Sequence, residues 1–414
     1  MFDVVVIGAG AAGLMAATRL AERGKRTLVL EKNRKPGVKI LISGGTRCNL
    51  TQNTDGAGII RAFGRNGRFL HSALSMLGPQ ELVALIEAEG VRTKVEETGK
   101  IFPASDRALD VLNALMARLH RSGATLALGE ALTEIEARES GFVLSTGSRT
   151  IEAERVLVTT GGKSYPGCGT VGDGYRWAEK FGHTIVAPRP ALVPLVNSAP
   201  WVRALSGVTI PDVTLRVVKV CEEKGAKPQA AMERRGSLLF THFGMSGPAA
   251  LDVSREFSTR SDARDLRLQC DFLPNTRETQ LEEQLRSLAA SSGKKLLVGL
   301  MSEALPRRLM ESIFANAEIP LERTPAELSR TERQRLMQSL KHTTLAIDAT
   351  LGFEKAEVTA GGVNLDEVDS RSMQSLRVPG LYFAGEVLDL DGWIGGYNFQ
   401  AAFSTGWLAA ERME

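Results

Sequence analysis

Val4-Val5-Val6-Ile7-Gly8-Ala9-Gly10-Ala11-Ala12-Gly13 stands near the start of the chain, and its reading decides the fold. The run from 2 to 7 is short and β-branched, as in a strand buried on both faces. Gly8 permits a tight turn, Gly10 lets the backbone approach a pyrophosphate, and Gly13 lets the next helix pack close to the sheet. That helix, from 11 to 22, points its free N–H groups and the positive end of its dipole at the phosphates. Gly24 is placed to stop it. A second strand, from 26 to 30, leads into Glu31 and Lys32. Glu31 lies about 20 residues past the glycines, where a carboxylate binds ribose hydroxyls. A lone GxGxxG says little, but strand, glycines, helix, strand and acid in register predict a dinucleotide-binding domain.

The other end of the chain reads Leu381-Tyr382-Phe383-Ala384-Gly385-Glu386, then Asp391-Gly392-Trp393-Ile394-Gly395-Gly396-Tyr397-Asn398. It resembles the segment that closes an FAD domain from the side opposite the first turn, which an NAD dehydrogenase does not need. Gly392, Gly395 and Gly396 let the backbone come close to a ring. A helix from 397 to 412 then aims its N-terminus at the flavin N1–C2=O edge and stabilises the anionic reduced form. The two ends together predict non-covalent FAD.

A length of 414 residues suggests two or three domains, and 43% hydrophobic residues are enough for a sizeable core. The net charge of +3 is close to neutral and does not by itself point to nucleic acid. Cys48, Cys168, Cys221 and Cys270 form no CxxC pair, which argues against a dithiol centre or a metal site. Free thiols, the immediate start in a strand and the absence of a membrane-length apolar run give a cytoplasmic protein with no stable membrane association as the expectation.

Between the ends the chain shows no repeat. Residues 39–49 read as a loop rich in Gly and Ser, and 79–90 and 108–119 have helical spacing. Strands are predicted at 125–128, 142–145 and 155–160, the last running into Thr160-Gly161-Gly162, with a helix at 175–181. After His183, Pro188, Pro190 and Pro194 punctuate the sequence, followed by strand-like pieces at 208–210, 214–220, 237–241 and 266–272. From 276 to 341 the pattern is helical, with 11 Lys/Arg against 9 acids, a balance that reads first as a solvated surface. The predicted fold class is α/β: a discontinuous, glutathione-reductase-type Rossmann-like FAD domain (1–187 and 346–414), a β-barrel-like insert (188–275 with 341–345) and a helical insert (276–340).

With these pieces in place the chain resembles the BaiN/RdsA-type NAD(P)/FAD-dependent oxidoreductases, also labelled the aminoacetone oxidase family. Four blocks carry the resemblance over nearly the whole length. They are Gly8 to Gly13 with Glu31; Gly37-Val38-Lys39-Ile40-Leu41-Ile42-Ser43-Gly44-Gly45-Thr46-Arg47-Cys48-Asn49; Thr160-Gly161-Gly162-Lys163-Ser164-Tyr165-Pro166-Gly167 with Gly172-Asp173-Gly174-Tyr175; and Thr359-Ala360-Gly361-Gly362-Val363 through Gly385-Glu386 to Gln400. Leu239 to Pro248, which contains His242, is a fifth element. The family usually has a basic residue where Val38 stands and Gly where Thr46 stands.

The resemblance implies that FAD is held by Gly8, Gly10, Ala11, Ala12, Gly13, Glu31, Lys32, Lys39, Ser43, Gly44, Gly45, Arg47, Cys48, Asn49, Ala131, Leu132, Thr160, Gly161, Gly162, Gly385, Glu386, Val387, Gly392, Gly395, Gly396, Tyr397 and Asn398. Lys39 and Arg47 are candidates to neutralise phosphate or reduced flavin. Cys48, Tyr165, Cys168, His242 and Tyr397 are candidate catalytic groups, and Asp173 a candidate orienting group. For Cys48, Tyr165, Cys168, Asp173 and His242 a structural role is the plainer reading. Gly167 to Gly172 also spells GxGxxG, but a loop and Pro166 precede it, so it is no second nucleotide fold.

The resemblance also implies the reaction classes. The first is a reductase in which NAD(P)H, entering the same cleft transiently, supplies hydride for an electron-poor C=C bond. The acceptor is then either a small-molecule enone or a uracil ring of rRNA, which would become dihydrouridine. For rRNA, Arg307, Arg308, Arg330, Arg333 and Arg335 are the surface candidates. The alternatives are an oxidase of a small amine such as aminoacetone, and a non-catalytic flavin-bearing RNA-binding protein.

Overall fold

The computed structural model describes residues 1–219, 230–258, 265–291 and 293–414. Cys221 and the predicted strand end at Val220 lie outside them. The chain divides into Met1–Arg189 with Glu357–Glu414, and Pro190–Ala356.

The first unit is built on a seven-stranded sheet. Phe2–Ile7 runs parallel between Thr27–Glu31 and the end of Thr150–Val158, and Thr125–Leu128 extends the parallel set beyond Thr27–Glu31. Thr150–Val158 has two jobs. Its first half pairs antiparallel with Gly141–Thr146, which pairs with Leu132–Arg138; its second half lies between Phe2–Ile7 and Leu381–Phe383, both parallel to it. The parallel strands are nearly all apolar because both of their faces are covered. Helix Ala11–Glu22 follows the first strand and is capped by Gly24 at φ +80. Its closeness to helix Tyr397–Arg412 depends on Gly406, where an added Cβ would stand 2.4 Å from Ala12 O. Ile185–Ala191 pairs with Val358–Val363 in a two-stranded ribbon, so Pro188 and Pro190 sit in an edge strand that tolerates them. Thr51–Gln52, Lys100–Pro103 and Thr93–Val95 form a small antiparallel sheet.

Buried His183 ties this ribbon to the sheet. Its Nε2 is 2.7 Å from Ser375 Oγ, its Nδ1 is 3.3 Å from Glu367 Oε2, and its ring stands edge-on to Phe383. Glu367 also accepts from Thr184 N and Oγ1 and from Arg377.

The second unit has a seven-stranded sheet in the order Thr343–Leu345, Leu266–Asp271, Thr209–Lys219, Ala230–Thr241, Gly244–Ser246, Leu195–Val196, Ala349–Thr350. Helix Pro248–Ser258 packs on it. The helices Glu278–Ser291, Arg307–Asn316 and Arg330–Lys341 contribute Leu285, Phe314 and Leu336 to the same core as Leu215 and Phe240. Lys341, buried, joins the two parts: its Nζ is 2.7 Å from Asp271 Oδ2 and donates to Leu273 O and Thr276 O. Ala349–Thr350 pairs with Leu195–Val196, which carries this unit past residue 345.

Burial lowers the His183 pKa, against the opposing pull of Glu367. The neutral ring is therefore favoured in the fold. Its contribution is fully present above the unfolded value of about 6.5 and is lost as pH falls through the lower folded value. Glu367, held at about 2 chiefly by Arg377, contributes above the ordinary carboxylate range and is lost only in stronger acid. Between pH 7 and 5 the wild-type melting temperature should fall more steeply than that of His183→Gln; parallel slopes would refute this.

Candidate functional site

The first turn has the geometry its glycines require. Gly8 adopts φ +105, and an added Cβ would lie 2.8 Å from Thr159 O; at Gly13 it would lie 1.9 Å from Gly8 O. Gly10 differs, since a Cβ there meets nothing within 4 Å. The space in front of the helix N-terminus is therefore open at the position where a pyrophosphate approaches. Glu31 is buried, and its carboxylate accepts from Ala9 N and Asn33 N, both at 2.8 Å. Those two bonds fix it beside the turn with lone pairs left for ribose hydroxyls. Lys32 turns away and pairs with Asp173 at 2.6 Å. Ala131 is exposed and Leu132 buried, just past the end of Thr125–Leu128.

Residues 39–49 are not the plain loop expected. A helical turn begins at Val38 and breaks where Ser43 is extended and Gly44 and Gly45 are left-handed (φ +56 and +68). Thr46 and Cys48 follow at φ +70 and +63. A β-branched Thr in that region costs on the order of 1–3 kcal/mol.

Both cations of this block are already paired. Arg47 binds Glu96 at 2.6 Å, reaches Asp106 at 3.4 Å and covers the Phe102 ring. Lys39 Nζ donates to Ser164 Oγ and Glu386 Oε2, each at 2.7 Å. Ser164 Oγ also donates to Glu386 Oε1 at 2.8 Å, and Thr359 N donates to the same oxygen. Thr359 Oγ1 in turn accepts from Lys163 N and Ser164 N. The Glu386 side chain thus clamps the second, third and fourth sequence blocks together, and Lys39 and Arg47 each have a carboxylate partner.

The far end supplies the second cradle. Gly395 and Gly396 adopt φ +131 and +91, and a Cβ on Gly396 would stand 2.6 Å from Thr51 backbone. Asn49, oriented so that its amide nitrogen faces Thr51 O and Ile101 O, accepts from Gly396 N at 3.0 Å. Asn398 accepts from Gly392 N and donates to Gly392 O, which holds the preceding loop. Gly385 N donates to Thr405 Oγ1, and Val387 is fully buried. Tyr397 packs edge-on to Trp393 at the helix start. Beside these turns, Thr51 Oγ1, Gln52 Oε1 and Thr160 Oγ1 are buried without a protein partner. Open space at Gly10, the fixed Glu31 carboxylate and these orphaned oxygens fit a dinucleotide with a polar ring edge.

The candidate catalytic groups fall in different settings. Cys48 is fully buried in the core, and burial pushes its thiol up to about 12. That is the setting of a packed side chain. Tyr165 is half-buried at φ +52, and burial together with Glu357 raises its phenol. Cys168 lies in the same turn with its thiol raised by burial, against the field of Lys39. His242 is an exposed residue of the second unit, edge-on to Phe243.

The sequence reading passed over Glu357. It is exposed at the surface, and loss of solvent around its carboxyl raises its pKa against the fields of Lys39 and Lys100. Its place two residues before Thr359 was the available signal. Among the described residues no group of metal ligands forms, and no single helix is long and apolar enough to cross a membrane.

The sequence pattern of the family described as HI0933-like protein Rossmann domain matches residues 2–412. The chain is 34% identical over 414 residues to the ribosomal RNA dihydrouridine synthase of Escherichia coli, covering 99% of this chain and 97% of that one. It is 32% identical over 417 residues to the 3-dehydro-bile acid delta(4,6)-reductase of Clostridium scindens, covering 99% and 98%. In fold it is similar to the 3-ketosteroid-delta4-(5alpha)-dehydrogenase of Rhodococcus jostii, with TM-score 0.50 and 15% identity over 100% of this chain and 96% of that one.

Two substitutions separate folding from cofactor binding. Gly10→Ala should melt near the wild-type temperature when flavin-free but bind FAD at least about tenfold more weakly, while Gly13→Ala should not accumulate folded. Equal FAD affinity for Gly10→Ala would remove the pyrophosphate assignment. Glu386→Ala should lower unfolding free energy by about 2 kcal/mol in denaturant titration; no change would show that the clamp is not structural.

Proposed function

The chain belongs to the HI0933-like Rossmann family, and from that premise we propose that it is an NAD(P)H-dependent FAD reductase whose acceptor is a uracil ring of ribosomal RNA, giving dihydrouridine. Full-length similarity to two relatives named for dihydrouridine synthesis supports the acceptor. The observation that carries the redox reading is the helix Tyr397–Arg412, whose start follows Gly395 and Gly396 and faces a cradle that only glycine backbone allows. When bound, FAD supplies the hydride chemistry.

The chain's own residues bind, orient and manage the proton. The dipole of the 397–412 helix favours negative charge at its N-terminus. Glu31 and the open turn at Gly10 position the dinucleotide end. Reducing a uracil ring adds one hydride and one proton across its C5–C6 bond, while NAD(P)H is oxidised to NAD(P)+. Tyr165 is the candidate for the proton. Its strained backbone marks a position the surroundings over-determine, and a raised phenol remains protonated at neutral pH. The field of Glu357 adds to burial in keeping that phenol protonated. Cys48 is too deeply buried to reach an acceptor.

Anaerobic NADPH should bleach the flavin band of the holoprotein, and unmodified rRNA should restore it with dihydrouridine appearing among the RNA nucleosides. In Tyr165→Phe the bleaching should persist while turnover with RNA falls about 10²-fold or more. A flavin that NADPH and NADH both leave oxidised would overturn the reductase reading. Recovery of the band by a steroid-type enone but not by RNA would move the acceptor to that class.

A further inference from the structure

Residues 56–80 carry Arg61, Arg65, Arg68 and His71 and no acidic residue. Helix Gly56–Ala62 is capped from outside by Asp55, whose side chain accepts from Gly58 N. A 3-10 helix, Gly64–Leu70, follows and packs tightly on it, because an added Cβ at Gly67 would stand 2.0 Å from Ile60 O. Residues three apart in a 3-10 helix eclipse, so Arg65 and Arg68 stand one above the other, about 6 Å apart along the axis. Arg61, Arg65, Arg68 and His71 are all exposed. Among the described residues the three arginines make no hydrogen bond or ion pair with protein.

The sequence pointed elsewhere for a basic surface, to the helical insert. There three of the five arginines are matched by a carboxylate. Arg307 pairs with Glu311, Arg333 with Glu282 and Arg335 with Glu318, while Arg308 donates to the carbonyls of Ser206 and Ala204. Such exposed pairs are individually weak, but a carboxylate partner answers three of these five arginines.

The unpaired arginines stand beside the proposed reduction site. The Phe63 ring lies against Gly392, where a Cβ would come within 2.8 Å of it. Asn66 Nδ2 donates to Asp389 O at 2.8 Å, and both short helices pack on Tyr397–Arg412. The segment therefore braces the loop that leads to that helix start. Guanidinium forks match phosphate oxygens two at a time.

We propose that Arg61, Arg65 and Arg68 form a phosphate-contacting surface that seats an RNA strand beside the reduction site. The proposal rests on the rRNA reading above and gives it a location.

The test uses the FAD-loaded chain and an unmodified rRNA transcript, with binding followed against salt. The R61A/R65A/R68A variant should bind at least about tenfold more weakly at moderate salt. Its log–log salt slope should be smaller by about 2, at roughly 0.7 for each single-strand phosphate no longer neutralised. R61K/R65K/R68K should keep the slope while binding somewhat more weakly than wild type. K294A/K295A/R330A on the insert should match wild type. An unchanged flavin band and unchanged bleaching by NADPH show that the arginine variants are folded. If wild type binds RNA and R61A/R65A/R68A retains both affinity and slope, the surface is refuted while the rRNA reading stands. If wild type binds no RNA at low salt, both fall. Binding to vesicles of anionic phospholipid as tight as to RNA would also overturn the proposal.

Discussion

The structure of the first unit depends on one carboxylate. Glu386 joins Lys39, Ser164 and Thr359, residues more than 300 positions apart at the extremes, within hydrogen-bonding distance of a single side chain. Each contact is partly shielded from water, so each is stronger than a surface pair. Removing the acid would leave the Lys39 ammonium half-buried and unpaired, and Thr359 N without an acceptor. The clamp also explains why residues distant in sequence work as one site. It fixes the Lys39 helical turn, the loop after Thr160 and the strand Val358–Val363 before any ligand arrives, so the binding surface is largely preorganised.

Around that clamp the architecture works by omission of side chains. Gly8, Gly13 and Gly396 each stand where a Cβ would overlap backbone, so they are needed for the fold itself. Gly10 stands where a Cβ would meet only open space. The glycine motif therefore contains two physical requirements, packing in most positions and ligand approach in one.

This distinction shows why much of the fold was legible in the sequence and the site less so. Phe2–Ile7, Ala11–Glu22, Thr125–Leu128 and Tyr397–Arg412 lie within a residue or two of where apolar patterning and glycine placement put them. Those signals are local. The antiparallel sheet of Thr51–Gln52, Lys100–Pro103 and Thr93–Val95 was missed because its strands are too short to show alternation. Arg47 and Lys39 read as free cations because their partners Glu96 and Glu386 are remote in sequence. The left-handed run at Thr46 and Cys48 could not be read either, since neither residue type favours that conformation. Glu357 went unmarked for a similar reason: an acid just before a strand looks ordinary, and its neighbours Tyr165 and Lys39 are remote in sequence.

The same pairing rule separates the charges that build the site from those free to recruit a partner. Lys32, Lys39 and Arg47 are each bound to a carboxylate. Arg61, Arg65 and Arg68 lack partners among the described residues, and they occur on the segment that supports the loop at residues 389–396. An unpaired exposed guanidinium costs the fold little and retains its whole field for a ligand. Charge inside the clamp therefore serves rigidity, whereas charge just outside it serves attraction. A polyanion drawn to the arginines would be held beside the glycine cradle without competing with the cofactor for the same cations.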